Sequence, residues 1–275
     1  MAILEGVVLD GKGDYFWYPE IGGCGKSTTA GITAYLLSQE GYRVLVIDMD
    51  SQGNLTELLS EQPSNEFVEK SVLEALQYND IKSYAIPVGD NLDLLPANNF
   101  LATLPRWIYT GKTYLGETIQ YHGNPSLILD AALDQVRDDY DYIIIDTPPA
   151  LSEQTTNALC TSEYVVVLFE SSNWCYSAIP NFMDSVESAN RFGKRDTKVI
   201  GILRTLNDSR RNDAKAFNEM VAEDYPDHVF ETIITRKAPV GRLSLYGFKE
   251  NSELKQALEL YRSFYKELME RVEGK

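Results

Sequence analysis

Eight residues, Gly22-Gly23-Cys24-Gly25-Lys26-Ser27-Thr28-Thr29, run into a helix-forming segment and then into the apolar run Val44-Leu45-Val46-Ile47, which ends in Asp48-Met49-Asp50. Glycines ahead of a Lys-Ser pair let backbone N–H groups turn inward around a phosphate. The lysine adds a mobile positive charge, and the serine hydroxyl can ligate Mg²⁺. A loop that opens a helix also points the positive end of the helix dipole at the anion. These residues therefore read as a nucleotide-phosphate cradle, with Gly22, Gly23, Cys24, Gly25, Lys26, Ser27 and Thr28 around the phosphates. Glu20 stands where the general pattern G-x-x-x-x-G-K-[ST] has its first glycine.

Strands and helices alternate beyond the loop. Ser27 to Glu40 reads as a helix stopped by Gly41. Arg43 to Asp48 and Tyr142 to Asp146 are short, continuous apolar strands, the mark of a parallel sheet covered on both faces. Leu92 to Leu95, Tyr164 to Phe169, Val199 to Leu203 and Val229 to Ile234 read as further strands. Leu127 to Val136 reads as helical. The last helix, Ser252 to Val272, repeats apolar residues at Leu254, Leu258, Tyr261, Tyr265, Leu268 and Val272. Strands separated by helix-length segments predict an α/β fold: a doubly wound, mostly parallel sheet of the P-loop NTPase type, with helices on both faces. Residues 60–90 are polar and weakly patterned, and read as a surface excursion. Tyr15 to Tyr18 supplies four consecutive aromatics and then Pro19 where a buried strand should feed the loop. Neither that stretch nor the distant Ile3 to Leu9 makes an ordinary strand-loop junction.

Acidic residues at strand ends complete the candidate site. Asp48 and Asp50 follow one strand, and Asp146 ends another in Asp146-Thr147-Pro148-Pro149. In a parallel sheet such carboxylates point into the crevice that binds ligands. There they can hold Mg²⁺ and orient an attacking water. Ser27, Asp50 and Asp146 are the candidate metal residues, and Asp50 and Lys26 the candidate catalytic pair.

The 275 residues carry a net charge of −16. Residues 191–275 hold 17 Lys/Arg against 14 Asp/Glu, while residues 1–190 hold 8 against 27. The net charge argues against uniform attraction to nucleic acid, and a basic surface can gather only in the C-terminal third. Cys24, Cys160 and Cys175 have no metal spacing, and an odd count suits a reducing cytoplasm. No apolar run approaches the ~18 residues of a membrane span, and the N-terminus lacks the basic n-region of a signal peptide. The terminal helix carries Glu253, Glu259, Glu267, Glu270 and Glu273 on its polar face, which anionic lipid repels, so it reads as core packing. His122 and His228 read as surface residues. Trp174 and Tyr176 read as core or loop packing.

The three motifs together resemble the ParA-type (Soj-like and MinD-like) branch of P-loop ATPases. Gly41 to Thr56, GYRVLVIDMDSQGNLT, looks like the family's strand and first switch, with Ser51 where proline is usual. Tyr140 to Leu151, YDYIIIDTPPAL, matches its second acidic motif. Arg204 to Asn212 and Val229 to Arg236 resemble its C-terminal blocks. The resemblance spans residues 22–270 of one P-loop ATPase domain, 1–275, with 1–21 an atypical N-terminal segment and 191–275 a DNA-facing part.

The resemblance implies ATP/ADP and Mg²⁺ as cofactors, with Asn207 also contacting nucleotide. It implies an ATP-dependent homodimer that binds DNA without sequence preference, a ParB-like activator protein, and a cytoplasmic, nucleoid-associated location without membrane. Arg210, Arg211, Lys215, Arg236, Lys237 and Arg242 become the candidate DNA contacts. One departure bears on rate. The family pattern K-G-G-x-G-K-[ST] has a lysine that reaches the partner's phosphates, and Ile21 stands there instead. Either this member works without the cross-dimer lysine, with slow hydrolysis, or residues 1–21 are not a functional family N-terminus. The competing readings are a catalytically weakened P-loop scaffold and a ParA-like positioner of a protein cargo.

Overall fold

The computed structural model describes residues 14–16, 25–149, 151–193, 196–207, 212–236, 238–248 and 252–274. Its first half contains β1 (Asp14–Phe16), α1 (Lys26–Gln39), β2 (Val44–Asp48), α2 (Asn54–Ser60), α3 (Val72–Tyr78), α4 (Ile81–Tyr84), β3 (Ile86–Gly89), β4 (Leu92–Leu95), α5 (Leu104–Thr110) and α6 (Ile128–Leu133). There follow β5 (Tyr142–Asp146), α7 (Glu153–Thr161), β6 (Tyr164–Glu170), α8 (Asn173–Phe192), β7 (Lys198–Asn207), α9 (Asn212–Asp224), β8 (Val229–Thr235), α10 (Ala238–Tyr246) and α11 (Ser252–Val272).

The strands form two runs, β1-β5-β2-β4-β3 and β6-β7-β8. All neighbours pair in parallel except β3, which turns back antiparallel onto β4. β1 also neighbours β6, so the two runs meet there.

Side-chain alternation along each strand divides the core into two layers. Leu45, Ile47, Ile143, Ile145, Val165, Val167 and Phe169 face one layer, closed by residues of α3 to α9. Val44, Val46, Ile144, Val166, Leu168 and Leu203 face the other, closed by α1, α2, α10 and α11. The central strands are apolar on both faces because helices cover both. The sheet is thus the doubly wound, mostly parallel one expected, with its candidate site at the C-terminal strand ends.

Residues 60–90 correct one expectation in part: 71–77 and Ile81 are core, whereas most of 61–70 and 82–90 is exposed or half-buried, as a surface excursion would be. Val72, Leu73, Ala75 and Ile81 are fully buried in the layer that holds Leu45 and Ile47. A capping box starts α3. The Glu74 carboxylate accepts from the Ser71 N–H at 3.0 Å, and Ser71 Oγ accepts from the Leu73 N–H at 3.3 Å. The Ser71-x-x-Glu74 spacing was the readable sign of this helix.

The N-terminal junction is a second correction. Asp14–Phe16, aromatic as it is, forms the strand before the loop, paired with Tyr142–Ile144. Trp174 is a third, since it is 69% exposed at the start of α8 rather than packed. Glu267 is a fourth: it leaves the polar face of α11 to accept the Glu231 and Thr232 N–H groups of β8 at 2.7 and 3.1 Å. The apolar stripe of α11 packs as read, with Leu254, Leu258, Tyr261, Tyr265 and Leu268 buried. His122 and His228 are exposed. Among the described residues no helix is long and apolar enough to cross a membrane.

Candidate nucleotide site

The chain enters α1 through Gly25, which caps it in the left-handed region at φ 93°. Its carbonyl accepts the Thr29 N–H at 2.8 Å. That geometry leaves the first N–H groups of α1 without helical partners, as at any helix start. Lys26, 7% exposed, donates from Nζ to the Thr147 carbonyl at 2.9 Å. Ser27 Oγ donates to Asp146 Oδ2 at 2.6 Å. Both partners sit at the C-terminal end of β5, so the start of α1 is tied directly to the second acidic motif.

The first acidic motif lies beside it. Asp48 and Asp146 are register partners across β2 and β5, and the Met49 N–H donates to the Asp146 carbonyl at 2.7 Å. Asp48 is fully buried. Its Oδ1 accepts the Asp50 N–H at 3.0 Å, and its Oδ2 accepts the Thr56 N–H and hydroxyl, each at 2.8 Å. Thr56 Oγ1 in turn accepts the Ala97 N–H at 2.8 Å. Asp50 Oδ1 accepts the Gln52 N–H at 2.9 Å, and the Asp50 carbonyl accepts the Gly53 N–H at 3.0 Å.

The charges here are in tension. Burial pushes the Asp146 carboxyl up to about 6; Lys26 and the Ser27 hydroxyl oppose the rise, and Asp50 adds to it. Burial also pushes Asp48 upward, helped by Asp146 and Asp50 and opposed by the Thr56 bonds. Three carboxylates in so dry a place call for positive charge, since desolvation and like charge both disfavour ionisation. Asp146 Oδ1 is buried without a hydrogen-bond partner. An orphaned carboxylate oxygen beside a serine hydroxyl fits a hard cation that takes oxygen ligands. Among the described residues no group of three or more His, Cys, Asp or Glu gathers as a metal cage. Mg²⁺ is such a hard cation, held by one or two protein oxygens together with phosphates and water.

Lys26, Ser27, Asp50 and Asp146 are thus brought together as the spacing predicts, with Thr28 on the first turn of α1. Gly22, Gly23 and Cys24 lie outside the described residues, as do Arg210, Arg211 and Lys237. Asn207 closes β7 opposite Thr235. Lys215 is exposed on α9, Arg236 is exposed just after β8, and Arg242 is exposed on α10. Arg236 lies 3.7 Å from Glu170 at the end of β6. Sequence reasoning missed the Thr147 carbonyl and the Thr56–Ala97 link. A backbone acceptor has no sequence signature, and neither has the Ala97 backbone N–H, which β4 brings to Thr56.

A model of an AAA domain family matches residues 18–199. Chromosome-partitioning ATPase Soj of Thermus thermophilus is 29% identical over 92% of this chain and 93% of its own. The sporulation initiation inhibitor protein Soj of Bacillus subtilis is 31% identical over 82% of this chain and 85% of its own. Cobyrinic acid a,c-diamide synthase from Mycobacterium smegmatis, solved with an ATP analogue and magnesium bound, is 26% identical, covers 93% of both chains and superposes with a TM-score of 0.76. The phosphate-loop helix, the two acidic strand ends and these similarities give one answer: the chain belongs to the AAA domain family of ParA-type P-loop partition ATPases.

Proposed function

We propose that this protein is a slow ATPase that binds ATP with Mg²⁺, dimerises on it, and binds DNA without sequence preference to segregate a plasmid or chromosome in the cytoplasm, on the nucleoid. The observation that carries the reading is the pair of contacts from the start of α1 to the end of β5, Lys26 to the Thr147 carbonyl and Ser27 to Asp146. Lys26 is a buried cation on a long stem. It can leave a neutral carbonyl for the β- and γ-phosphate oxygens, a stronger, charge-assisted partner. Ser27, with Asp146 and Asp50 nearby, would hold Mg²⁺, which neutralises charge on the phosphates when bound. Asp50 would orient the attacking water. Phosphoryl transfer depends on positioning and charge stabilisation, so Ile21, which supplies no cation, makes hydrolysis slow.

The dimer and a ParB-like activator are inferred from the resemblance of the motifs to the ParA-type family. The same ATPase could carry a protein cargo, because the partner protein selects what is moved. Ile21 and Glu20 favour a second reading, a scaffold that kept the fold and lost the chemistry. Titration of labelled ATP and ADP with Mg²⁺ separates them. Submillimolar binding that Lys26→Ala weakens by 10-fold or more, roughly the worth of one charge-assisted contact, is the expected result. No binding below millimolar would leave the scaffold.

A further inference from the structure

Asp48 commits both carboxylate oxygens to its own chain. It is fully buried, and its carboxylate accepts three hydrogen bonds from two places in the following loop. One is the Asp50 N–H, at the loop's first turn. The other two are the N–H and hydroxyl of Thr56, inside α2. We infer that Asp48 is a positioning residue: a single buried carboxylate fastens both ends of the 50–56 loop, and so fixes where the Asp50 side chain stands relative to Ser27 and Asp146. The inference rests on the proposed role of Asp50 in orienting water.

Three features support the clamp. Asp48 ends a central strand, paired with Asp146 on β5, so its own position is set by the sheet. Thr56 is anchored a second time, because its hydroxyl oxygen accepts the Ala97 N–H just beyond β4. Asp50 is oriented within the loop by the Gln52 N–H on its Oδ1. The path from sheet to Asp50 therefore contains one backbone turn and one carboxylate, with little freedom elsewhere.

The chemistry demands aspartate. Donors converge on both oxygens, and asparagine offers one acceptor oxygen and one NH₂ donor. Whichever way an amide is turned, it sets donor against donor, at the Asp50 N–H or at the Thr56 N–H. Asp48→Asn thus keeps size and shape and cuts one side of the clamp. Lys26 and Ser27 are untouched, so binding should survive while turnover falls.

The test is steady-state ATP hydrolysis and nucleotide affinity for the full-length chain carrying Asp48→Asn, Asp50→Ala, both together, Thr56→Val and Thr56→Ser. A displacement near 1 Å costs on the order of 10²-fold in rate, so kcat should fall by that order in Asp48→Asn, with the Kd for ATP within about two-fold of the parent. In the double variant kcat should fall no further than in Asp50→Ala, because residues acting as one unit are not additive. Thr56→Val should lower kcat in the same way, and Thr56→Ser, which keeps the hydroxyl, should lose far less. If Asp48→Asn does not fold, the Thr56 pair decides alone. Undiminished turnover in Asp50→Ala overturns the role of Asp50 and the inference with it. With Asp50→Ala impaired, an additive double variant overturns the clamp alone, as does a fall in kcat that tracks equal losses of ATP affinity and melting temperature.

Discussion

Gly53 shows how little latitude the first acidic loop has. Its φ is +67°, in the left-handed region, and a Cβ placed there would meet Ser64 Cβ at 2.5 Å. Gly25 also has a positive φ, but among the described residues its Cβ would meet nothing within 4 Å. The two glycines therefore differ in kind. Gly25 is needed for conformation, whereas Gly53 is needed for conformation and space. Gly53→Ala should cost about 1–3 kcal/mol, from strain together with the displacement of Ser64. It should also lower kcat more than ATP affinity, because Gly53 lies between Asp50 and Thr56 and not at α1. Urea unfolding with matched kinetics checks this; a variant as stable and active as the parent would show that the loop tolerates a side chain. The sequence showed the residue types of this site plainly. Lys26, Ser27, Asp50 and Asp146 were legible because phosphate and Mg²⁺ demand those groups at strand ends and at a helix start. Thr56 was not, because its second partner, the Ala97 N–H, is brought to it only by the pairing of β2 with β4.

Elements were legible in proportion to how continuous their apolar signal is. β2, β5 and β6 are buried on both faces, and each reads as an unbroken run. α11 reads as a stripe because one side alone packs, with Phe264 and Leu268 fully buried. α3 escaped notice because its seven residues are too few for a helical period to emerge among polar neighbours. β1 escaped because bulky aromatics seemed unsuited to a strand that neighbours both β5 and β6. The position of α3 in the core can be tested. Leu73 is 0% exposed there, so Leu73→Ala should destabilise the fold by about 2–5 kcal/mol, the cost of a lost core side chain and the cavity it leaves. Chemical denaturation measures it. A loss below about 0.5 kcal/mol, typical of a surface change, would return α3 to the periphery.

At the scale of the whole molecule, charge is distributed along the strand direction. Exposed acids precede the strands: Asp90 before β4, Asp138 before β5, Asp196 before β7 and Asp227 before β8. Arg43 and Lys82, on the same side, are already paired with Asp141 and Asp139 at 2.8 and 2.6 Å. The candidate DNA contacts follow strands instead: Arg236 comes directly after β8, and Lys215 is in the helix after β7. A polyanion approaching a chain of net charge −16 is opposed overall, and the cations proposed to admit it, Lys215 and Arg236, follow strands, toward the edge that holds the proposed nucleotide. That shared edge is the physical reason to expect DNA binding to depend on ATP, since two subunits joined there would double a basic footprint too small in one. Each phosphate neutralised adds roughly −0.9 to the slope of log affinity against log salt. Replacing Arg210 and Arg236 by alanine should weaken binding to all sequences alike and flatten the slope by about two per subunit. Because Arg236 already has Glu170 at 3.7 Å, its share of that change should be the smaller, and Glu170→Gln should strengthen binding. Retention on random-sequence duplex DNA across a salt series, with and without ATP, reads all three effects. Absence of binding at low salt with ATP, or binding indifferent to the double substitution, would remove DNA as the partner of this edge and leave a protein cargo.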